Sequence, residues 1–231
     1  MAQGLKPSST WKGDRPMGHL VLLGDSVFDN AAYVGGGPDV VAQLRDRLPA
    51  GWRATLRAVD GSLIGGVERQ LDRLPADATH LVVSTGGNDA LGYASVLEAG
   101  ARSVAEAVDR LATIRERFGR DYEAMLDRVL ERGLPTSVCT IYDTRIPEPR
   151  RRLVVAALCL LNDRITRAAF ARGLPLVDLR LVCDRDEDYA NPIEPSVRGG
   201  EKIAAAIAGL AVGPMSGEPG GGGERSVVAA R

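Results

Sequence analysis

The chain has 231 residues, 45% of them hydrophobic, which is enough for one large domain around a single substantial core. Its 29 Lys and Arg nearly cancel its 30 Asp and Glu, so no strong field exists to draw in nucleic acid or an anionic membrane. The three cysteines, Cys139, Cys159 and Cys183, lack metal-like spacing and fit reduced thiols better than a disulfide framework, which favours the cytoplasm.

Residues 1–18 show no periodicity and hold no apolar stretch of signal-peptide or membrane-spanning length, so a flexible lead-in is expected before a domain over 19–212. The apolar run Leu20-Val21-Leu22-Leu23 stops at Gly24-Asp25-Ser26 and reads as a buried strand that leaves the Ser26 hydroxyl at its C-terminal edge. After the Gly35-Gly36-Gly37-Pro38 loop, Val40, Val41, Leu44 and Leu48 share a helical face. Trp52 to Ala58 alternates with period two and predicts an edge strand. A helical stripe of Ile64, Val67, Leu71 and Leu74 follows, then a third strand, His80 to Ser84, and the loop Gly86-Gly87-Asn88-Asp89.

The stripe Val104, Val108, Leu111, Ile114 and Phe118 resumes after Gly119 at Tyr122, Met125, Leu126 and Val129, and Gly133 is a natural stop. Thr136 to Ile141 is the fourth strand. Val154, Ala157, Leu158, Leu161, Ile165 and Ala168 mark a helix, and Leu174 to Val177 a short fifth strand. Ile203, Ala206, Ile207 and Leu210 mark the last helix, and the Gly-rich tail over 213–231 is expected to be disordered. Strands separated by helices throughout predict an α/β fold, a three-layer sandwich around a five-stranded parallel sheet.

Three glycine-containing turns converge on one edge of that sheet: Gly24-Asp25-Ser26, Asp60-Gly61-Ser62 and Gly86-Gly87-Asn88-Asp89. In combination they resemble the SGNH hydrolases, the GDSL-type esterases and lipases, over roughly His19 to Leu210. The resemblance implies that Ser26 is the nucleophile and that Gly61 and Asn88 donate to an oxyanion. It also implies an ester, thioester or other acylated small molecule as substrate, attacked through an acyl-enzyme by a hydrolase or acyltransferase. No motif indicates a metal or organic cofactor, and no nucleic acid or membrane span is expected.

The family's late Asp-x-x-His-Pro segment is met by Asn191-Pro192-Ile193-Glu194-Pro195-Ser196, with Asn191 in place of the aspartate and Glu194 in place of the histidine. The two histidines, His19 and His80, start strands that run toward the site, so each is expected more than roughly 15 Å from Ser26. A free glutamate is a weaker base than histidine by roughly 3 kcal/mol, a handicap that burial or a nearby carboxylate such as Asp25, Asp89 or Asp188 reduces. The expected arrangement is a Ser26–Glu194 dyad with Asn191 orienting the carboxylate. The alternative is a catalytically impaired relative that binds an acylated or glycosylated ligand without cleaving it. Short loops around the site suggest an open cleft. Asp143 is a candidate pocket residue, and the basic cluster Arg145, Arg150, Arg151 and Arg152 a candidate anion contact or a solvated helix start.

Overall fold

The computed structural model describes residues 18–212 and 227–228. The sheet is parallel throughout, in the order β2 (Arg53–Leu56), β1 (His19–Gly24), β3 (His80–Ser84), β4 (Thr136–Cys139), β5 (Leu176–Val177) and β8 (Val227–Val228). The first five are the expected strands, with β2 at the edge. The two-residue β8, paired Leu176↔Val227 and Val177↔Val228, lies in the stretch expected to be disordered. The rest of that tail, like the lead-in before residue 18, lies outside the described residues.

The alternation of side chains along a strand explains why β1 has no polar face. Leu20 and Leu22 enter one core layer with α1 (Val40–Arg47) and α7 (Val197–Val212), while Val21 and Leu23 enter the other with α4 (Val104–Leu130) and α5 (Arg150–Ala171). The long helical region whose apolar face resumes after Gly119 is one continuous 27-residue α4. A Cβ at Gly119 would sit 2.1 Å from Arg164 Nε, so the missing side chain leaves room for the Arg164 guanidinium to lie over α4 there. The stripe from Ile64 is shorter than expected: a 3-10 turn followed by α2 (Val67–Leu71).

Three features near the site have no periodicity long enough to read from sequence. They are α3 (Gly87–Gly92), α6 (Leu179–Val182), and an antiparallel ribbon of β6 (Tyr189–Asn191) with β7 (Glu194–Pro195). The chain leaves β1 for β2 on one side and returns to β3 on the other, so the order reverses around β1 and opens a crevice at its carboxyl end. No helix among the described residues is long and apolar enough to cross a membrane.

Gly24 closes β1 in a conformation only glycine adopts easily, with φ at +129°. A Cβ there would lie 1.7 Å from the Ser84 carbonyl oxygen, the same oxygen that accepts from Asp25 N at 3.1 Å. Both a steric and a torsional penalty therefore meet at one position. Gly24→Ala is expected to destabilise the fold by at least about 3 kcal/mol, read by urea denaturation.

Candidate active site

Ser26 sits in the turn after β1 and is 6% exposed. The turn is built by Asp25, whose carbonyl accepts from Phe28 N and Asp29 N and whose Oδ1 accepts from Val27 N. The Ser26 N–H is not used: no protein acceptor meets it among the described residues. Its hydroxyl donates to Glu194 Oε1 at 3.1 Å, a contact between residues 168 apart in the chain.

Glu194 is 7% exposed, and its position is set by backbone clamps on both neighbours. The Tyr142 hydroxyl donates to the Ile193 carbonyl at 2.6 Å, and Asn30 Nδ2 donates to the Pro195 carbonyl at 3.2 Å. Thr144 Oγ1 and Arg145 N both donate to the Pro192 carbonyl. The remaining carboxylate oxygen, Oε2, is buried with no partner among the described residues. Burial raises the Glu194 carboxyl from 4.5 to about 7, with a smaller push from Asp60, while the Ser26 hydrogen bond pulls the other way. Asp25 also rises to about 7, chiefly through burial, with Glu194 and Asp89 adding to the effect. The acid neighbour that matters for Glu194 is thus Asp60. Asp188, by contrast, is neutralised by Lys202 Nζ at 2.7 Å and Arg198 at 3.6 Å.

Asn191 does not orient the Glu194 carboxylate. Its side chain is exposed and its Oδ1 accepts from Ile193 N at 2.9 Å, closing its own turn. Asn191 instead holds Glu194 through the backbone, as its partner in the β6–β7 ribbon. The histidines lie at the far edge of the sheet, as expected. His19 is held by Asp77 and Thr55 at the start of β1, a strand whose length spans about 20 Å at most.

Asn88 lies on the first turn of α3, and its Nδ2 donates to the Ser62 carbonyl at 3.1 Å, leaving one amide hydrogen for a ligand. Gly61 has φ at +73° and an N–H with no partner among the described residues, but it lines a neighbouring groove and not the cavity at Ser26. Gln70 braces both turns: it brackets Gly24 by accepting from its N–H and donating to its carbonyl, and it reaches Ser62 Oγ at 3.3 Å.

The space in front of Ser26 is a cavity of about 240 Å³ running between α3, α4 and α5. Its far walls are apolar, including Leu97, Leu111, Ile114, Val154 and Leu161. To the cleft expected from the short loops, the long helices α4 and α5 add apolar walls. Ser26, Asn88, Glu194 and Asp25 all line it, as does Thr85, whose buried Oγ1 has no partner among the described residues. Asp143 is not in the lining; its neighbours Tyr142 and Thr144 are, on alternate positions of an extended segment. Of the basic cluster only Arg150 reaches the cavity, paired with Glu98, while Arg145 stacks over the Tyr189 ring. Thr85 and Asn30 carry no motif in the sequence. Among the described residues no group of three or more His, Cys, Asp or Glu gathers to hold a metal.

A sequence profile of the GDSL-like lipase/acylhydrolase family matches residues 22–201. The chain belongs to that family. Solved structures with the same fold include the extracellular lipase of Streptomyces rimosus, at TM-score 0.59 and 18% identity over 83% of this chain and 99% of that one. A lipase from a goat rumen metagenome superposes at TM-score 0.65 and 18% identity over 85% and 98% of the two chains. The esterase EstA of Pseudoalteromonas sp. does so at 0.57 and 16% over 84% and 98%. No curated protein matches the sequence.

Two expectations follow from this geometry. The folded state holds a proton on Glu194 that the unfolded chain releases between pH 4.5 and about 7, so stability falls as pH rises through that window. The cost is on the order of 3 kcal/mol at pH 8, and Glu194→Gln should recover part of it at pH 8 and none at pH 4.5, read by denaturation at the two pH values. Tyr142→Phe removes the hydroxyl that fixes Ile193, and should lower the turnover of any activity that uses Glu194 by about 10-fold with a smaller effect on KM.

Proposed function

We propose that the chain is a serine ester hydrolase that works through an acyl-enzyme, with Glu194 as the general base in place of histidine. The observation that carries the reading is the Ser26 Oγ to Glu194 Oε1 hydrogen bond inside a buried, mostly apolar cavity. Ser26 Oγ attacks the ester carbonyl carbon while its proton passes to Glu194. The tetrahedral oxyanion is held by the free Ser26 N–H and the spare Asn88 amide hydrogen. Protonated Glu194 then gives its proton to the departing alkoxide as the C–O bond breaks. In the second half, Glu194 takes a proton from water as hydroxide adds to the acyl carbon, then returns it to Ser26 Oγ as the C–Oγ bond breaks and the acid leaves.

The raised pKa supports this role, since a base near 7 takes up a proton far more readily than an ordinary carboxylate. The apolar walls fit the acyl portion of the substrate. Two buried thiols and one exposed, none in a disulfide, support a reducing compartment, and we place the protein in the cytoplasm.

Turnover of p-nitrophenyl esters should require ionised Glu194, so kcat/KM should fall about 10-fold per pH unit below about 7 and level off above it. Ser26→Ala should cost at least about 10³-fold and abolish labelling by a fluorophosphonate, seen by intact mass. Glu194→Gln should cost at least about 10²-fold. Unchanged turnover in Glu194→Gln, with Ser26→Ala inactive, would remove Glu194 from the mechanism.

A further inference from the structure

The cavity at Ser26 is drawn out along α5, and two fixed points give its length. The inner point is the sheet edge. Gly24 of β1 pairs with Ser84 of β3, and Val83 of β3 pairs with Val138 of β4, so Ser84 is level with Cys139. Ser26 and Ile141, two residues beyond Gly24 and Cys139, therefore stand at about one height. Asn162 fastens α5 to that height: its Nδ2 donates to the Ile141 carbonyl and its Oδ1 accepts from Ile141 N, both at 2.8 Å. The outer point is Arg150, the first residue of α5, which lines the cavity and is paired with Glu98 at 2.5 Å.

Between those points Val154, Ala157, Leu158 and Leu161 continue one face of α5 at helical spacing. From Leu161 to Arg150 the helix rises about 16 Å. A space of about 240 Å³ spread over that length is elongated, the shape of an alkyl chain and not of a ring system. A carbon–carbon bond of about 1.5 Å advances an extended chain by roughly 1.3 Å, so the length takes about twelve carbons. At roughly 30 Å³ for each water-sized group, the volume takes about eight. Beyond Arg150 a further methylene meets an ion pair whose two side chains are more than half exposed, and gains no burial.

Ala157 is the smallest side chain on this face, among Val154, Leu158 and Leu161. It stands four residues from Leu161, which is about 6 Å along the helix. A large side chain there would close the space beyond about the fifth carbon. We propose that the cavity selects acyl groups by length: it takes a straight chain of about eight to twelve carbons, and Ala157 determines the limit by keeping the outer half open. Placing that chain on the acyl side of an ester rests on the hydrolase reading. The fit of an alkyl chain to the cavity does not.

The experiment has two arms. In the first, the intact chain is titrated calorimetrically with the straight-chain ketones from 2-pentanone to 2-tetradecanone, neutral probes whose carbonyl can take the place of the ester's. Affinity should rise about 2- to 4-fold per methylene and level off at about eight to twelve carbons. In Ala157→Phe it should level off at about five, and in the milder Ala157→Leu between the two. No binding, a flat series, a series that climbs without a break, or a break at the parent's length in both variants would overturn the proposal. In the second arm, kcat/KM is measured for p-nitrophenyl esters from acetate to myristate, each below its micelle concentration. The parent should show the same rise and break, and the ratio of decanoate to butyrate turnover should fall at least about 10-fold in Ala157→Phe. Equal kcat/KM across the parent's series overturns the placing of the chain on the acyl side. If no ester is turned over while the ketones show the break, the hydrolase reading fails and the fit of the chain to the cavity stands.

Discussion

One buried carboxylate with half of its hydrogen-bonding capacity unused is what the rest of the site depends on. Glu194 has a single partner, the Ser26 hydroxyl, and its second oxygen meets no donor among the described residues. In an ordinary core this would be a defect, because an ionised group taken from water demands compensation. Here it is what keeps the group basic. Every donor added to the carboxylate would stabilise its ionised form and lower its pKa, so the clamps act on neighbouring carbonyls instead. Tyr142, Thr144 and Asn30 bond to the backbone of residues 192, 193 and 195 and leave the carboxylate itself alone.

The same reasoning accounts for Asn191. When a neutral imidazole takes a serine proton it becomes a cation, and a nearby aspartate stabilises it. A carboxylate that takes the proton becomes neutral, so on the proposed mechanism no charge is left at the base for a third residue to hold. A negative aspartate beside it would oppose nothing useful in the transition state and would complicate the resting ionisation. Asparagine removes that charge. Its side chain is then free to close the turn through Ile193 N, and its backbone keeps the register that places Glu194. On the proposed mechanism the two departures from the family's pattern are chemically one change.

How much of this was legible in the sequence follows from the range of each signal. The buried strands were readable because a strand covered on both faces must be apolar at every position, as Leu20 to Leu23 are. That Ser26, Asn88 and Glu194 would come to line one cavity was readable because short motifs fix residue types at strand ends. The role of Asn191 was misread because equivalence of position says nothing of where a side chain points, and one Asx turn decided it. The β6–β7 ribbon and α3 were missed because a few residues carry no period. The cavity was missed for a different reason: Leu111, Ile114, Val154 and Leu161 continue helical stripes whose other members pack in the core, as Phe118 and Ile165 do. A sequence stripe does not tell an apolar residue facing a neighbour from one facing a void.

That ambiguity has a consequence for catalysis. The residues that dry the cavity are also those against which an apolar acyl group would lie, so substrate recognition and base strength draw on one set of side chains. Water around Glu194 stabilises its charged form, and an acyl chain that displaces water from the cavity strengthens every electrostatic interaction left inside. On the proposed mechanism, binding energy from the unreactive end of the substrate would therefore appear in kcat as well as in KM. A carboxylate base is more sensitive to this than an imidazole. Its reactive form is the charged one, and drying the site disfavours that form while making what remains of it a stronger proton acceptor. On the proposed mechanism the optimum is a pocket dry enough to lift the base toward 7 and no drier, and apolar helices on one side with polar turns on the other are the means of striking that balance.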